Sequence, residues 1–323
     1  SEEDHPLDAR IRRLFINEMP EGPAEDRDEL WPGQRSVVRK LRRALLESGA
    51  GRAVSFLSRM NLRTLLAAPA HIRVAVAERS YPPLRPLPDE EETLRRRLYP
   101  QAHALAVLTE RTARDWAHAF MPRDKVHVIP NPARPFGPDK GDAGESTALP
   151  AEYIAACGRL VSLKGFDRLL RAFASFHRLF PGPGLVLIGD GPELASLKCL
   201  ARELGLEGVV LFTGHLRRPE AVMRNALFFV LSSRVEGFPN ALLDALASGM
   251  PCIAADCPTG PAEMIEHGRN GLLYPPDNVE ALAAHMANLY KEKGLRDSLG
   301  ANAAILAGRY AEKDMAEKWA ALF

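Results

Sequence analysis

Cysteine is scarce in this sequence, with four residues (Cys157, Cys199, Cys252 and Cys257) in 323. None forms a CxxC pair and none joins histidines at zinc spacing, which argues against a disulfide frame or a zinc module. The expectation is small buried thiols in a reducing compartment. Long apolar runs are lacking too. The longest, ALFFVL from Ala226 to Leu231, falls well short of the roughly 20 residues of a membrane span and suits a buried strand. No signal-peptide pattern opens the sequence. Nor does charge of one sign dominate: 42 Lys and Arg face 41 Asp and Glu, a net +1, so the chain is not built to bind nucleic acid. What is present is enough apolar material, 46%, for two cores. These features together describe a cytoplasmic α/β protein.

From Glu152 onward, apolar strands alternate with amphipathic helices. YIAACG reads as a strand, FDRLLRAFASFHRLF as a helix, and GLVLIGDGP as a strand into a glycine turn. A helix follows from about Pro192 to Leu204, then VVLFTGHL as a strand and AVMRNA as a short helix. LFFVLSS is a strand, the stretch after Pro239 a helix and PCIAAD a strand; beyond NGLLYPP the chain reads as helical. Uninterrupted apolar strands between helices predict a parallel sheet covered on both faces, with ligands held beyond the strands' carboxyl ends. The first half shows the same alternation less clearly. RIRRLFI, RAVSFLS, IRVAVAE, HALAVLT and VHVIPNP read as strands, QRSVVRKLRRALLES and MNLRTLLAA as helices. Domains are expected over 1–135 and 151–308, joined by a Pro- and Gly-rich linker at 136–150. A C-terminal helix at 309–323 is expected, able to cross back to the first domain.

Five loops at the predicted carboxyl edge are singled out. Arg159 and Lys164 follow the strand ending at Gly158; two cations there suit a diphosphate, although for the loop taken alone the plainer reading is that both solvate a surface loop. The Gly189-Asp190-Gly191 turn lacks the GxGxxG and Walker lysine patterns and reads as a structural turn lining the cleft. Backbone groups around Gly214 and His215 can pair with a nucleobase edge. In RVEGFPNALLDALASG, Pro239 stands near a helix start with Asn240 as N-cap, and the free amides around Asn240 and Ala241 form an anion site. Glu236 and Asp244 flank that site. Carboxylates beside a phosphate site accept hydrogen bonds from hydroxyls, so the implied ligand is anionic in its middle and hydroxylic at both ends, as in a sugar nucleotide. Two acids favoured by the helix dipole are the plainer reading. In DCPTGPAEMIEHGRNGLLY, Gly260 and Pro261 form a loop, and Glu263 and Glu266 begin a short helix.

The ordered set GRLVSLKGFDRLL, LIGDGPE, FTGH, SSRVEGFPNALLDALASGMPCIAADCPTGPAEMI and GRNGLLY resembles the retaining glycosyltransferases of family 4, which have the GT-B fold. The resemblance spans the C-terminal half. It is extended by SFLSRMN, VAVAERSYPP, LTERTARDWA and VHVIPNP, which are similar to a bacterial subgroup making surface polysaccharides and lipid-linked oligosaccharides. It implies two Rossmann-like doubly wound domains facing a cleft. Arg159 and Lys164 would then hold the donor diphosphate. Glu236 would contact the donor sugar, and the amides from Phe238 through Pro239 and Asn240 to Ala241 would meet sugar and phosphate. Asp244 would bind ribose, and the backbone at Gly158, Gly214 and His215 would line the donor pocket. The resemblance further implies a nucleotide-sugar co-substrate, favouring UDP, a glycan or polyprenyl-linked acceptor, and no metal or other cofactor.

The sequence departs from that pattern in three places. Asp244 stands where the family usually has Glu. Glu78-Arg79 stands where many members have His; these two are candidates for acceptor or donor-sugar contact, or for a structural salt bridge. The sequence opens at SEEDHPLDARIRRLF, which resembles the region after the family's first strand and glycine-rich loop, so the N-terminal domain is expected to lack its first elements. The helix Gln34–Glu47, with Arg35, Arg39, Lys40, Arg42 and Arg43, and the Arg95-Arg96-Arg97 run can rest on anionic lipid or form a solvated face. Rival functions are a sugar-nucleotide epimerase of GT-B architecture and a non-catalytic scaffold.

Overall fold

A computed structural model describes residue 15 and residues 18–84, 86–137 and 149–323. The strand expected at RIRRLFI, apart from Phe15, and the centre of the 136–150 connection lie outside the described residues. Contacts divide the chain into two compact units. The first comprises Ser1–Val107, Asp115–His127 and Leu322–Phe323; the second comprises Leu108–Arg114 and Val128–Ala321.

The first unit carries α1 (Arg35–Ser48), β1 (Arg52–Phe56), α2 (Ser58–Ala67), β2 (Arg73–Ala77), α3 (Asp89–Leu98) and β3 (Ala104–Val107). The helix α4 (Glu110–Asp115), which falls in the second unit but for Asp115, follows in the chain, and β4 (Val126–Val128) completes a sheet of order β1-β2-β3-β4. The pairs β1–β2 and β2–β3 are parallel. Val74–Ala77 and Ala104–Val107 are buried throughout, as strands covered on both faces must be. Phe323 belongs to this unit, its ring stacked on His103 at 5.7 Å.

The basic helix turns part of its charge inward. Arg42 is fully buried and forks onto Asp28, Nη2 to Oδ1 at 2.7 Å and Nη1 to Oδ2 at 3.3 Å. It also donates to the carbonyls of Pro23 and Leu66 at 2.8 and 3.0 Å. Arg39 reaches Asp28 Oδ2 at 2.9 Å, Arg43 pairs with Glu47 at 2.7 Å, and Arg35 pairs with Glu29. Asp28 and Glu29 come from the short 3-10 turn Asp26–Leu30 just before the helix, and Glu47 from α1 itself. Arg95 is likewise buried, paired with Glu92 and lying over the rings of Trp116 and Phe120 at 4.9 and 5.4 Å. Arg42 and Arg95 are structural and face no lipid.

The second unit alternates β5 (Tyr153–Cys157), α5 (Phe166–Leu179), β6 (Gly184–Ile188), α6 (Leu194–Glu203), β7 (Val210–Gly214), α7 (Pro219–Met223) and β8 (Phe229–Leu231). It continues through α8 (Asn240–Ala247), β9 (Cys252–Ala255), α9 (Pro261–Met264) and β10 (Leu272–Tyr274) to α10 (Val279–Lys291), α11 (Lys293–Ala307) and α12 (Glu312–Ala320). The helix expected from Pro192 starts at Leu194, because Pro192 belongs to the preceding turn, and Glu266 falls beyond the end of α9.

All strands of this sheet are parallel, in the order β10-β9-β8-β5-β6-β7. Alternate residues feed opposite cores. Leu185 and Leu187 of β6 pack with Leu169, Phe173 and Met286, whereas Val186 and Ile188 pack with Leu242, Leu246 and Met264. The chain builds outward from β5 through β6 to β7, then returns to the other side for β8, β9 and β10. The loops after β5 and β8 therefore diverge at the point where the winding reverses. That is where doubly wound sheets open a crevice for ligands. Among the described residues, no helix is long and apolar enough to cross a membrane.

Candidate active site

Two loops meet at the reversal point. The loop after β5 carries Arg159, which is exposed, and Lys164 at the end of the short turn Ser162–Lys164. The loop after β8 carries Glu236. Lys164 Nζ donates to Glu236 Oε1 at 2.6 Å, and the Ser233 hydroxyl donates to the same oxygen at 2.6 Å. Glu236 is only 7% exposed and Lys164 27%, so the pair is partly withdrawn from water but still reachable from the crevice.

The apposition is enforced by backbone. Gly165 sits at φ +64, and a Cβ there would press on the Ser232 carbonyl, inside the 3.0 Å that real Cβ atoms keep. Only glycine lets the loops come this close. Ser232 Oγ donates to the Lys164 carbonyl at 2.9 Å and the Arg234 amide to the Leu163 carbonyl at 2.8 Å. From the other side, the Glu236 amide donates to the Pro258 carbonyl and the Thr259 amide to the Glu236 carbonyl, both at 2.7 Å. The buried Thr259 hydroxyl adds a bond to the Gly237 carbonyl at 2.9 Å. Glu236 is thus fixed by three neighbouring strand ends.

The Gly189–Gly191 turn braces the Arg159 loop. A side chain at Gly189 would run into the Gly158 carbonyl, and the Leu160 amide donates to the Asp190 carbonyl at 2.9 Å. The Gly189 amide in turn holds the Gly214 carbonyl at 2.9 Å, while His215 beyond it is exposed.

At α8 the sequence reading needs correction. Pro239 occupies the capping position and Asn240 is the first helical residue. The Asn240 side chain does not cap the helix; its Oδ1 accepts from Asn131 Nδ2 at 2.7 Å. Asn131 comes from a remote segment that supplies a better-placed donor than the helix's own amides. The amides of Asn240, Ala241 and Leu242 still have no intrahelical acceptor, as at any helix start. Phe238 is buried and packs edge-on to Tyr310 at 6.1 Å between centroids, so its side chain is structural.

Asp244 is already engaged. Its Oδ1 accepts the Arg134 amide at 2.8 Å. Burial pushes its pKa up, and the Arg134 amide and charge pull it partly back. The thiols report the local charge: burial raises Cys157 to about 11, where it feels Lys164 and Asp244, and Cys257 to about 12, near Glu236 and Lys164. Lys164 and Asp244 therefore act near the end of β5, and Lys164 and Glu236 near the chain just after β9. The expectation of four buried thiols holds for Cys252 and Cys257 only; Cys157 is half-buried and Cys199, on the outer side of α6, is exposed.

In the first unit Glu78 is buried at the end of β2, its carboxylate accepting from Ser58 Oγ at 2.8 Å and from the Tyr99 hydroxyl. Burial raises its pKa, against those hydrogen bonds. Both oxygens are used, and by hydroxyls, so the expected salt-bridge alternative is replaced by a neutral-donor network. Arg79 is half-buried, its guanidinium 5.8 Å over the Phe56 ring with a buried Nη1 that has no acceptor. Missing from the sequence reading were Ser232, Ser233, Arg234 and Thr259, whose roles depend on which loops meet. Among the described residues no cluster of three or more His, Cys, Asp or Glu side chains could hold a metal ion.

Comparison with known proteins places the chain in a family. The profile of the family described as glycosyl transferases group 1 matches residues 144–305, about half of the chain. An exopolysaccharide phosphotransferase of Streptomyces coelicolor is 36% identical over 229 residues, 69% of this chain and 23% of that protein. A lipopolysaccharide 1,6-galactosyltransferase of Salmonella typhimurium is 36% identical over 166 residues, 50% of this chain and 42% of that protein. The chain spans less than half the length of both relatives. The Anabaena protein HepE in complex with UDP superposes with a TM-score of 0.77 at 19% identity, covering 88% of this chain and 81% of that one. With two parallel Rossmann-like sheets and this match, the chain belongs to the glycosyl transferases of group 1 and has the GT-B fold.

Proposed function

We propose that the protein is a retaining, family 4 glycosyltransferase that moves a hexose or N-acetylhexosamine from a nucleotide sugar, UDP-linked for preference, to a glycan or polyprenyl-linked saccharide. The observation that carries this reading is the Lys164–Glu236 pair at the reversal point of the sheet, beside the unpaired amides that open α8. A cation and helix amides suit a diphosphate, and a carboxylate beside them suits sugar hydroxyls.

In this reading Arg159 and Lys164 hold the donor diphosphate and offset the charge that develops on it as the glycosidic bond breaks. Glu236 turns toward the sugar, and the amides of Asn240 and Ala241 meet phosphate. The free oxygen of Asp244 takes a ribose hydroxyl, while the backbone at Gly158, Gly214 and His215 borders the base. The anomeric C–O bond to phosphate breaks as the acceptor oxygen bonds on the same face. The acceptor proton passes to the departing phosphate oxygen, so neither a protein nucleophile nor a metal is needed. The relatives' polysaccharide and lipopolysaccharide names and the UDP in the HepE complex support the substrate class. Arg79, with its unsatisfied Nη1, is the better acceptor-side candidate than Glu78. Arg96, Arg97 and the exposed part of α1 are what remains for a peripheral contact with anionic lipid at the cytoplasmic face.

The test is a thermal-shift and transfer screen across UDP- and GDP-sugars. Stabilisation by a UDP-sugar and transfer to a saccharide acceptor are expected. Epimer formation from UDP-hexose alone, with no acceptor, would sink the reading.

A further inference from the structure

The two loops that supply Lys164 and Glu236 are tied together by a side chain outside the crevice. Arg234 lies on the β8 loop two positions before Glu236. Its Nη1 donates to Asp167 Oδ1 at 2.8 Å and its Nη2 to Asp167 Oδ2 at 2.7 Å, a bidentate pair. Nη1 also donates to the Ser162 carbonyl at 2.6 Å. Ser162 begins the turn that ends in Lys164, and Asp167 stands in the first turn of α5 just beyond Gly165. The guanidinium therefore grips the Lys164 turn at both ends, before and after the lysine, while its own backbone is bonded to Leu163.

We propose that Arg234, through Asp167 and the Ser162 carbonyl, is a positioning residue. It sets the spacing between Lys164 and Glu236, and with it the register in which the diphosphate and sugar of the donor are held. Lysine cannot replace it, because a point charge cannot span both carboxylate oxygens and the carbonyl. Neither side chain needs to touch the donor. Their half-exposed position explains why the contribution lies in geometry: an ion pair at such exposure adds little to global stability.

The proposal rests on the transferase reading, so its test has one arm that does not depend on activity. In hydrogen exchange of the full chain, Arg234→Met and Asp167→Asn should each speed exchange of the Lys164 and Gly165 amides at least about tenfold, leaving α8 unchanged. In the transfer assay each variant should lose about tenfold in kcat at saturating donor, and the double variant no more than either alone. Placed on Lys164→Ala, Arg234→Met should cost less than about twofold, because the residue it positions is gone; Arg234→Lys should recover only part of the loss. Unchanged loop exchange in both single variants would overturn the proposal. So would faster exchange with wild-type transfer, or losses that multiply in the Lys164→Ala background. A wild-type protein that transfers nothing across the donor screen would count against the transferase reading alone, since the exchange arm still decides whether the clamp holds the loop.

Discussion

Replacing Gly165 with Ala isolates the closeness of the loops after β5 and β8 from the chemistry of their side chains. Two costs follow from the structure. The residue sits at φ +64, ψ 27, where an L side chain costs roughly 1–2 kcal/mol. The new Cβ would also meet the Ser232 carbonyl, whose carbon stands 3.2 Å away, with Arg234 Nη1 at 3.6 Å. Relief requires the β5 and β8 loops to separate by roughly 1 Å. A displacement of that size at a reacting centre is enough for about a hundredfold loss of rate. The expected phenotype is a melting temperature lower by roughly 4–8 °C, for about 2 kcal/mol in a unit of this size, with kcat/KM for transfer down about a hundredfold. Gly205→Ala is the control: its φ is +71 but nothing lies within 4 Å of the added Cβ, so it carries the conformational cost without the clash. It should shift the melting temperature and leave transfer intact. Equal loss of transfer in the two variants, or wild-type transfer by Gly165→Ala, would refute the reasoning.

Lys164→Ala and Glu236→Ala should each lower transfer at least about tenfold, about 1.4 kcal/mol of barrier, measured as kcat/KM with the donor identified in the screen; wild-type rates in either would remove the pair from the site. The first unit should respond to acid through Asp28. Burial alone would raise this carboxyl, but the hydrogen bonds from Arg42 and Arg39 and from the Glu25 amide hold it at about 2 instead of 3.8. A depressed pKa stabilises the fold above the unfolded value, so about 2.5 kcal/mol present at neutral pH should fade as pH drops from about 4 to 2. Urea unfolding followed through Trp31 and Trp116 should show that slope in the wild type. Asp28→Asn, which leaves Arg42 buried without its counter-charge, should flatten it and cost about 3 kcal/mol at pH 7.

The second unit was largely readable from sequence because its strands are buried on both faces and therefore continuous apolar runs; β5, β6, β8 and β9 announce themselves that way. The loops at their carboxyl ends follow from the alternation. What meets across those loops does not. Lys164 and Glu236 are 72 positions apart, and their direct bond depends on β5 and β8 being neighbours, a fact of strand order that no local pattern carries. Asn240 looked like a helix cap by every local rule, yet Asn131, 109 positions away, captured its side chain. Arg42 shows the opposite failure. Helical periodicity marks it as one more cation on a basic face, and only the counter-charge of Asp28 makes its burial affordable in structural terms.

The bond between Lys164 and Glu236 has a consequence for turnover under the proposed function. The lysine is not waiting for an anion; it already has one, supplied by the protein. A donor diphosphate that takes Lys164 must displace this resident carboxylate, and the displaced Glu236 is then released beside the sugar it is proposed to bind. In that proposal the carboxylate closes on the lysine again when the nucleotide departs. An internal competitor of this kind weakens the hold on donor and product alike, and it makes capture of the diphosphate and freeing of Glu236 a single exchange.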